Sequence, residues 1–394
     1  MAKKTVRDID VRGKRVLVRV DFNVPLDPAS RRVLDDSRLR ASLPTVRYLQ
    51  ERGARIVLCS HLGRPKGRDQ AQGLAPVAER FSQLLGRPVA LAPCCVGPEV
   101  EAMVASLGEG DVLLLENVRF HPEEEKNDPK YARALARLAD IYVNDAFAAA
   151  HRAHASTVGV AAYLPAVAGL LMEQEVANLS RALEPERPYA AVIGGAKIST
   201  KIGVLRNLLQ RADRLLLGGG MANTFLKAEG FPVGDSLAED DYLDEARRIM
   251  DEARQRGVRL LLPSDVIVAE RVAADAEARR VSVREVPVGW HIVDIGDTTL
   301  ETFARALEDC RTVVWNGPMG VMELEPFARG SRRLAGVIAG LKGAVTIVGG
   351  GETAAVVESL GLADRFTHVS TGGGATLEFL EGKELPGIAV LQDA

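Results

Sequence analysis

Aromatic residues are scarce: Phe, Trp and Tyr make up only 5% of the 394 residues. A platform for stacking sugars or single-stranded bases needs such rings, so none is expected. Cysteine is scarce too. Cys59, Cys94, Cys95 and Cys310 form no C-x-x-C pair, and the adjacent Cys94 and Cys95 cannot easily ligate one metal. They read as reduced structural thiols in a reducing compartment. Net charge is only −3, which excludes a whole-chain nucleic-acid footprint. No run approaches the ~18 uncharged apolar residues of a spanning helix. Met1–Asp10 is charged and has no apolar segment typical of a secretion signal, so a cytoplasmic location without a membrane partner is expected. Three motifs are missing: the dinucleotide fingerprint G-x-G-x-x-G, the Walker A loop and the nucleophile elbow G-x-S-x-G. His151 and His154 have metal-ligand spacing, but no third ligand is apparent and Arg152 between them opposes a cation.

What is present is α/β alternation. Apolar runs at Arg15–Val20, Arg55–Cys59, Asp111–Leu115 and Asp140–Val143 lack strict alternation, as do YAAVI, RLLL (twice), TVVW and AVTIV further on. Such runs suit strands buried on both faces of a parallel sheet. Between them lie helical patterns such as Asp128–Ala139, with a proline near its start. The length favours two domains. Leu171–Leu183 reads as a long amphipathic helix ending in the charged, proline-punctuated break Glu184–Pro188. The expected division is therefore a first lobe over 1–170, a helix and hinge over 171–188, and a second lobe over 189–381.

Ligands of open parallel sheets bind outside the carboxyl ends of the strands. In the first half these ends run into charge: Asp21-Phe22-Asn23, then Ser60-His61-Leu62-Gly63-Arg64, then Arg119, then His151-Arg152. Arginine binds phosphate and carboxylate bidentately, so a pocket for a small multiply charged anion is expected there. In the second half the ends run into glycine: Gly194-Gly195, Gly218–Gly220, Asn316-Gly317-Pro318, Gly349–Gly351 and Gly372–Gly374. Bare backbone at helix starts suits a nucleotide's phosphates. Lys197 and Lys201, four residues apart, are expected on one face of a helix beside them.

The motifs RVDFNVPL (Arg19–Leu26), SHLGRPKG (Ser60–Gly67), LLENVRF (Leu114–Phe120), AHRAHAST (Ala150–Thr157), GGAKISTKIG (Gly194–Gly203), LGGGMANTF (Leu217–Phe225), WNGPMGVME (Trp315–Glu323) and STGGGATLEF (Ser370–Phe379) occur in one order across the chain. Together they resemble the phosphoglycerate kinase family from end to end. The resemblance implies two Rossmann-like lobes with parallel sheets, joined by an interdomain helix and hinge, with a cleft between them and 382–394 returning to the first lobe. It implies a monomeric phosphotransferase with a carboxyl acceptor, acting on 3-phosphoglycerate and on ATP or ADP bound with Mg²⁺. By the same resemblance Asp21, Phe22, Asn23, Arg38, His61, Leu62, Gly63, Arg64, Arg119 and Arg152 contact phosphoglycerate. Arg38, Lys197 and Gly373 act on the transferring group. Gly194, Gly195, Lys201, Gly218, Gly219, Gly296, Asn316, Pro318, Val321, Glu323, Gly350, Gly351, Glu352 and Thr353 form the nucleotide site, with Glu352 on the metal side.

Three positions depart from the family pattern. Glu352 stands where the family has Asp, Ala148 where it has Gly, and Met322 where it has Phe. The chemistry suits the residue set: a carboxylate acceptor is already ionised at neutral pH and needs no general base. The competing readings are a nicotinamide-dependent dehydrogenase, on the glycine-rich strand ends, and a non-catalytic binding protein of the same fold.

Overall fold

The computed structural model describes residues 3–394. Two compact units divide the chain: Met1–Val176 with Glu384–Ala394, and Ala177–Lys383. In the first, strands β1 (Arg15–Arg19), β2 (Arg55–Cys59), β3 (Val89–Leu91), β4 (Val112–Leu114), β5 (Ile141–Asn144) and β6 (Ala166–Ala168) form one sheet in the order β3-β4-β2-β1-β5-β6. All its pairings are parallel. Val16, Leu17 and Val18 of β1 are all buried, which is why the sequence shows no alternation there. Helix Ser37–Glu51 turns Leu39, Leu43, Val46 and Leu49 onto the sheet at helical spacing. Phe22 and Phe81 pack at 4.8 Å within the same core. The helix expected over 128–139 spans Pro129–Ala136. Asp128 caps it by accepting the N–H groups of Lys130 and Tyr131, and Pro129 fills the position where a missing N–H costs nothing.

The chain's last residues close the first unit. Lys4 N–H donates to the Gln392 carbonyl at 2.8 Å, and Gln392 N–H donates to Ala166 at 3.0 Å. Asn144 of β5 donates through Nδ2 to the Gly387 carbonyl.

The second unit has strands β7 (Tyr189–Ile193), β8 (Arg214–Leu217), β9 (Arg259–Leu261), β13 (Thr312–Asn316), β14 (Val345–Gly349) and β15 (His368–Val369) in the order β15-β14-β13-β7-β8-β9, again all parallel. Between β9 and β13 the chain adds an antiparallel sheet that the sequence reading did not anticipate. It contains β10 (Asp265–Ala269), β11 (Ala278–Ser282) and β12 (His291–Ile295) in the order β11-β10-β12. Its own small core includes Val266, Val268, Val283 and Val286.

Helix Leu170–Leu183 begins in the first unit and ends in the second. No helix among the described residues is long and apolar enough to cross a membrane.

Candidate active site

In each sheet the strand order reverses beside the first strand, between β1 and β5 and between β7 and β13. Such switch points leave a crevice at the carboxyl ends. In the first unit, the segments leaving β1, β2 and β4 and the first turn of Ser37–Glu51 bring the expected anion-binding residues together. Arg38 donates through Nη1 to Asp21 Oδ2 at 2.6 Å. Asn23 Oδ1 accepts the Gly63 N–H at 2.8 Å, while the Gly63 carbonyl accepts from Arg119 Nη1 at 2.6 Å. Gly63 has φ +63°, which a side chain would strain, so it serves as a backbone clamp between two expected substrate residues. Asn117 fixes the same loop, accepting from Leu62 N–H and donating to the Leu62 carbonyl. Phe22 N–H is held by the Ser60 hydroxyl at 2.8 Å, with the ring in the core.

His61 is buried, and Arg19 donates to its Nδ1 at 3.1 Å. Burial first, then the Arg19, Arg119, Arg152 and Arg38 cations, hold its pKa well below the usual imidazole range, so the ring is neutral at physiological pH. Arg64 is exposed, and Arg152, after β5, donates to His151 Nε2 at 3.2 Å. Ala148 lies in the 3₁₀ turn Phe147–Ala149; Arg31 and Asn127 are the only non-glycine residues described with positive φ, so this turn does not require the family's glycine.

In the second unit β7 and β13 end so close together that their glycines are obligatory. A Cβ on Gly194 would lie 2.1 Å from the Pro318 carbonyl oxygen, and one on Gly317 2.3 Å from that of Gly194. Gly194 and Gly218 are therefore bare to admit neighbouring protein, Gly218 to admit the Met319 sulfur. Beside them lies a cavity of about 340 Å³ whose lining includes Gly195, Gly219, Pro318, Val321, Glu323 and Glu352. Its far wall comes from β12 and neighbouring segments: His291, Val293, Leu237 and Val272. These residues carry no phosphate-binding signature, and His291 and Val293 reach the cavity as part of the antiparallel sheet.

Gly296 lies off this lining and precedes helix Asp297–Leu307. A Cβ there would sit 2.3 Å from the Asp265 carboxylate, so the glycine makes room for that group. Gly351 and Gly373, by contrast, open onto free space at the starts of Gly351–Ser359 and Gly374–Leu380. Gly350, with φ +93°, precedes the first of these. Thr353 is buried and accepts the Gly317 N–H at 2.7 Å, tying that helix to the end of β13.

The two lysines do not share a helix face. The helix starts only at Ile202 and runs to Leu209. Lys197 lies in the preceding segment, exposed, and its carbonyl accepts from the Thr200 hydroxyl. Ser199 braces this segment by donating through N–H and Oγ to Glu239. Lys201 turns inward, is 8% exposed, and donates to Asn316 Oδ1. Burial lowers its pKa to about 8, against the opposing pull of Glu352 and Glu381. Asn316 Nδ2 is buried without a hydrogen-bond partner. A desolvated ammonium and an unused amide donor thus meet at the switch point, an arrangement that an anion completes.

A family model described as phosphoglycerate kinase matches residues 6–383. The phosphoglycerate kinases of Synechococcus sp. (strain JA-3-3Ab) and Pelotomaculum thermopropionicum are each 58% identical to this chain over the full length of both partners. Among solved structures, phosphoglycerate kinase from Coxiella burnetii has a TM-score of 0.88 at 43% identity, covering 98% of each chain. The Pyrococcus horikoshii OT3 enzyme has a TM-score of 0.87 at 34% identity with the same coverage.

Proposed function

The chain belongs to the phosphoglycerate kinase family, and from that premise we propose how its residues divide the work of moving a phosphoryl group reversibly between 1,3-bisphosphoglycerate and ADP. The segment 1–170, with 382–394, is the phosphoglycerate lobe; 171–188 is the connecting helix and hinge; 189–381 is the nucleotide lobe. In the ATP-consuming direction a carboxylate oxygen of 3-phosphoglycerate bonds to the γ-phosphorus as the bond to the ADP oxygen breaks. No proton need be abstracted, so the protein's contribution is positioning and charge stabilisation. Arg64, Arg119, Arg152 and His61 hold the phosphoglycerate with Asp21, Phe22, Asn23, Leu62 and Gly63. Arg38, from the first unit, and Lys197 and the Gly373 backbone, from the second, are the groups that act on the transferring phosphoryl. Lys201 grips the nucleotide phosphates, Glu323 takes the ribose hydroxyls, and Gly194, Gly195, Gly218, Gly219, Gly296, Asn316, Pro318, Val321 and Gly350–Thr353 complete that site.

The observation that carries this reading is the buried Lys201 beside the unpartnered Asn316 amide, a desolvated ammonium and an amide donor that an anion would satisfy. Mg²⁺ fits the same edge. The described residues contain no group of three metal-binding side chains, and Mg²⁺ commonly binds through one or two carboxylates plus substrate phosphates. Glu352, exposed on the cavity lining, is that carboxylate. When bound, the ion neutralises charge on the phosphate oxygens. We infer a monomer acting in the cytoplasm on small molecules, without nucleic-acid or membrane partners.

The test is turnover with MgATP and 3-phosphoglycerate, trapping the acyl phosphate with hydroxylamine. Hydroxamate that requires both Mg²⁺ and the 3-phospho isomer is expected. Equal product from 2-phosphoglycerate, or none from folded protein, refutes the assignment.

A further inference from the structure

The last residue of β1, Arg19, is only 1% exposed, and none of its guanidinium's hydrogen bonds goes to a carboxylate. It donates to the Ser156 hydroxyl at 2.8 Å, to the Val20 carbonyl, and to His61 Nδ1 at 3.1 Å. A buried cation needs a counter-charge. Here that charge stands one hydrogen bond further away, on the fully buried Glu124. The Ser156 hydroxyl is 2.5 Å from Glu124 Oε1, and the Ser156 N–H donates to Oε2 at 2.9 Å. We propose that Glu124 is a positioning residue for the acceptor site, acting through Ser156 and Arg19 to fix the orientation and tautomer of His61.

The directions of the bonds follow from the donor inventory. Guanidinium cannot accept, so Ser156 Oγ accepts from Arg19 and spends its one proton on Glu124. For the same reason His61 Nδ1 must accept from Arg19, and the ring proton sits on Nε2. His61 is thereby left with a single donor for a substrate oxygen. The other charged groups nearby do not duplicate this. Asp21 Oδ1 is 3.9 Å from His61 Nδ1, His154 Nδ1 is 4.0 Å from Glu124 Oε1, and Arg119 is engaged with Gly63 and Glu125. Without the Glu124 charge, the other buried carboxylate beside His61, Asp21, is already paired with Arg38, and the guanidinium is drawn toward the anion-binding face, releasing His61.

This inference rests on the first unit being the phosphoglycerate site, and the test separates the two. In the full chain, Glu124→Gln keeps an acceptor for Ser156 while removing the charge; Ser156→Ala keeps the charge and breaks the relay. ¹⁵N correlation spectra of His61 without ligand are expected to show one Nε2-protonated tautomer in the parent chain and a tautomer mixture in both variants. KM for 3-phosphoglycerate is expected to rise at least about tenfold, with KM for ATP unchanged, as for a misplaced binding group. An unchanged His61 tautomer in both variants overturns the relay, as does an equal rise in both KM values together with a fall in Tm. A parent chain that never turns over 3-phosphoglycerate refutes the functional assignment, yet the spectra still report on the relay.

Discussion

Lys201 is the residue at which burial and function pull hardest against each other. Its pKa of about 8 means that near this pH half of the ligand-free molecules have lost the ammonium charge. A bound phosphate restores it, so binding should draw a proton from solution. We expect MgADP binding at about pH 8 to take up roughly half a proton, seen as a buffer-dependent enthalpy in calorimetry, and affinity to weaken as pH rises further. Near pH 6 the uptake should vanish, and Lys201→Met should abolish it at every pH. Buffer-independent enthalpy at pH 8 would place Lys201 away from the phosphates. The sequence already pointed to this lysine, but on a helix face. It could not show that Gly194 and Gly317 bring two strand ends into contact, that the helix begins only at Ile202, or that Lys201 turns onto Asn316. Glycine in a sequence reports that a side chain is excluded, and at Gly194 and Gly218 the excluding atoms belong to neighbouring protein.

Among the elements, helix Leu170–Leu183 starts without any capping signature in its own sequence. Its first N–H groups are satisfied from elsewhere: Leu170 by the Thr45 hydroxyl at 2.9 Å, and Leu171 and Met172 by Asp145 Oδ1. Gly169 has no side chain because a Cβ would lie 2.0 Å from that oxygen. Burial lifts the Asp145 pKa to about 7 despite these bonds. The unfolded chain therefore loses the Asp145 proton first, and stability drains away as pH climbs from about 4 toward 7. Asp145→Asn retains an acceptor and removes this ionisation. Its Tm relative to the parent should become more favourable between about pH 5 and pH 8. A Tm difference that stays the same between these pH values would mean that the helix end holds Asp145 ionised. The parallel strands were legible because burial on both faces gives continuous apolar runs. The antiparallel sheet was not: β11 is ARRVS, with its first three residues exposed, and leaves no apolar pattern to read. His291 and Val293 of β12 line the cavity, but nothing in their residue types marks a nucleotide site.

At the scale of the molecule, the chain enters the second unit after Val176 and leaves it after Lys383, so the first unit is assembled from both ends of the sequence. The returning segment does more than cover a sheet edge. Gly387 donates to the Ala150 carbonyl at 2.8 Å and accepts from Asn144, placing it against the loop that carries Arg152. A ligand that binds only the native state slows amide exchange in the unit holding it, by about 100-fold at a concentration 100 times Kd. Hydrogen exchange followed by mass spectrometry should therefore separate the two sites. With 3-phosphoglycerate alone, protection is expected in 20–24, 60–64, 117–120 and 145–154, and also in 384–391, far away in sequence but bonded to that loop. With MgADP alone it is expected in 194–201, 217–223 and 316–323, with 384–391 unchanged. Protection of 384–391 by MgADP but not by 3-phosphoglycerate would reverse the assignment of ligands to units. Protection of 145–154 by 3-phosphoglycerate without 384–391 would show that the returning segment opens independently of the loop it touches.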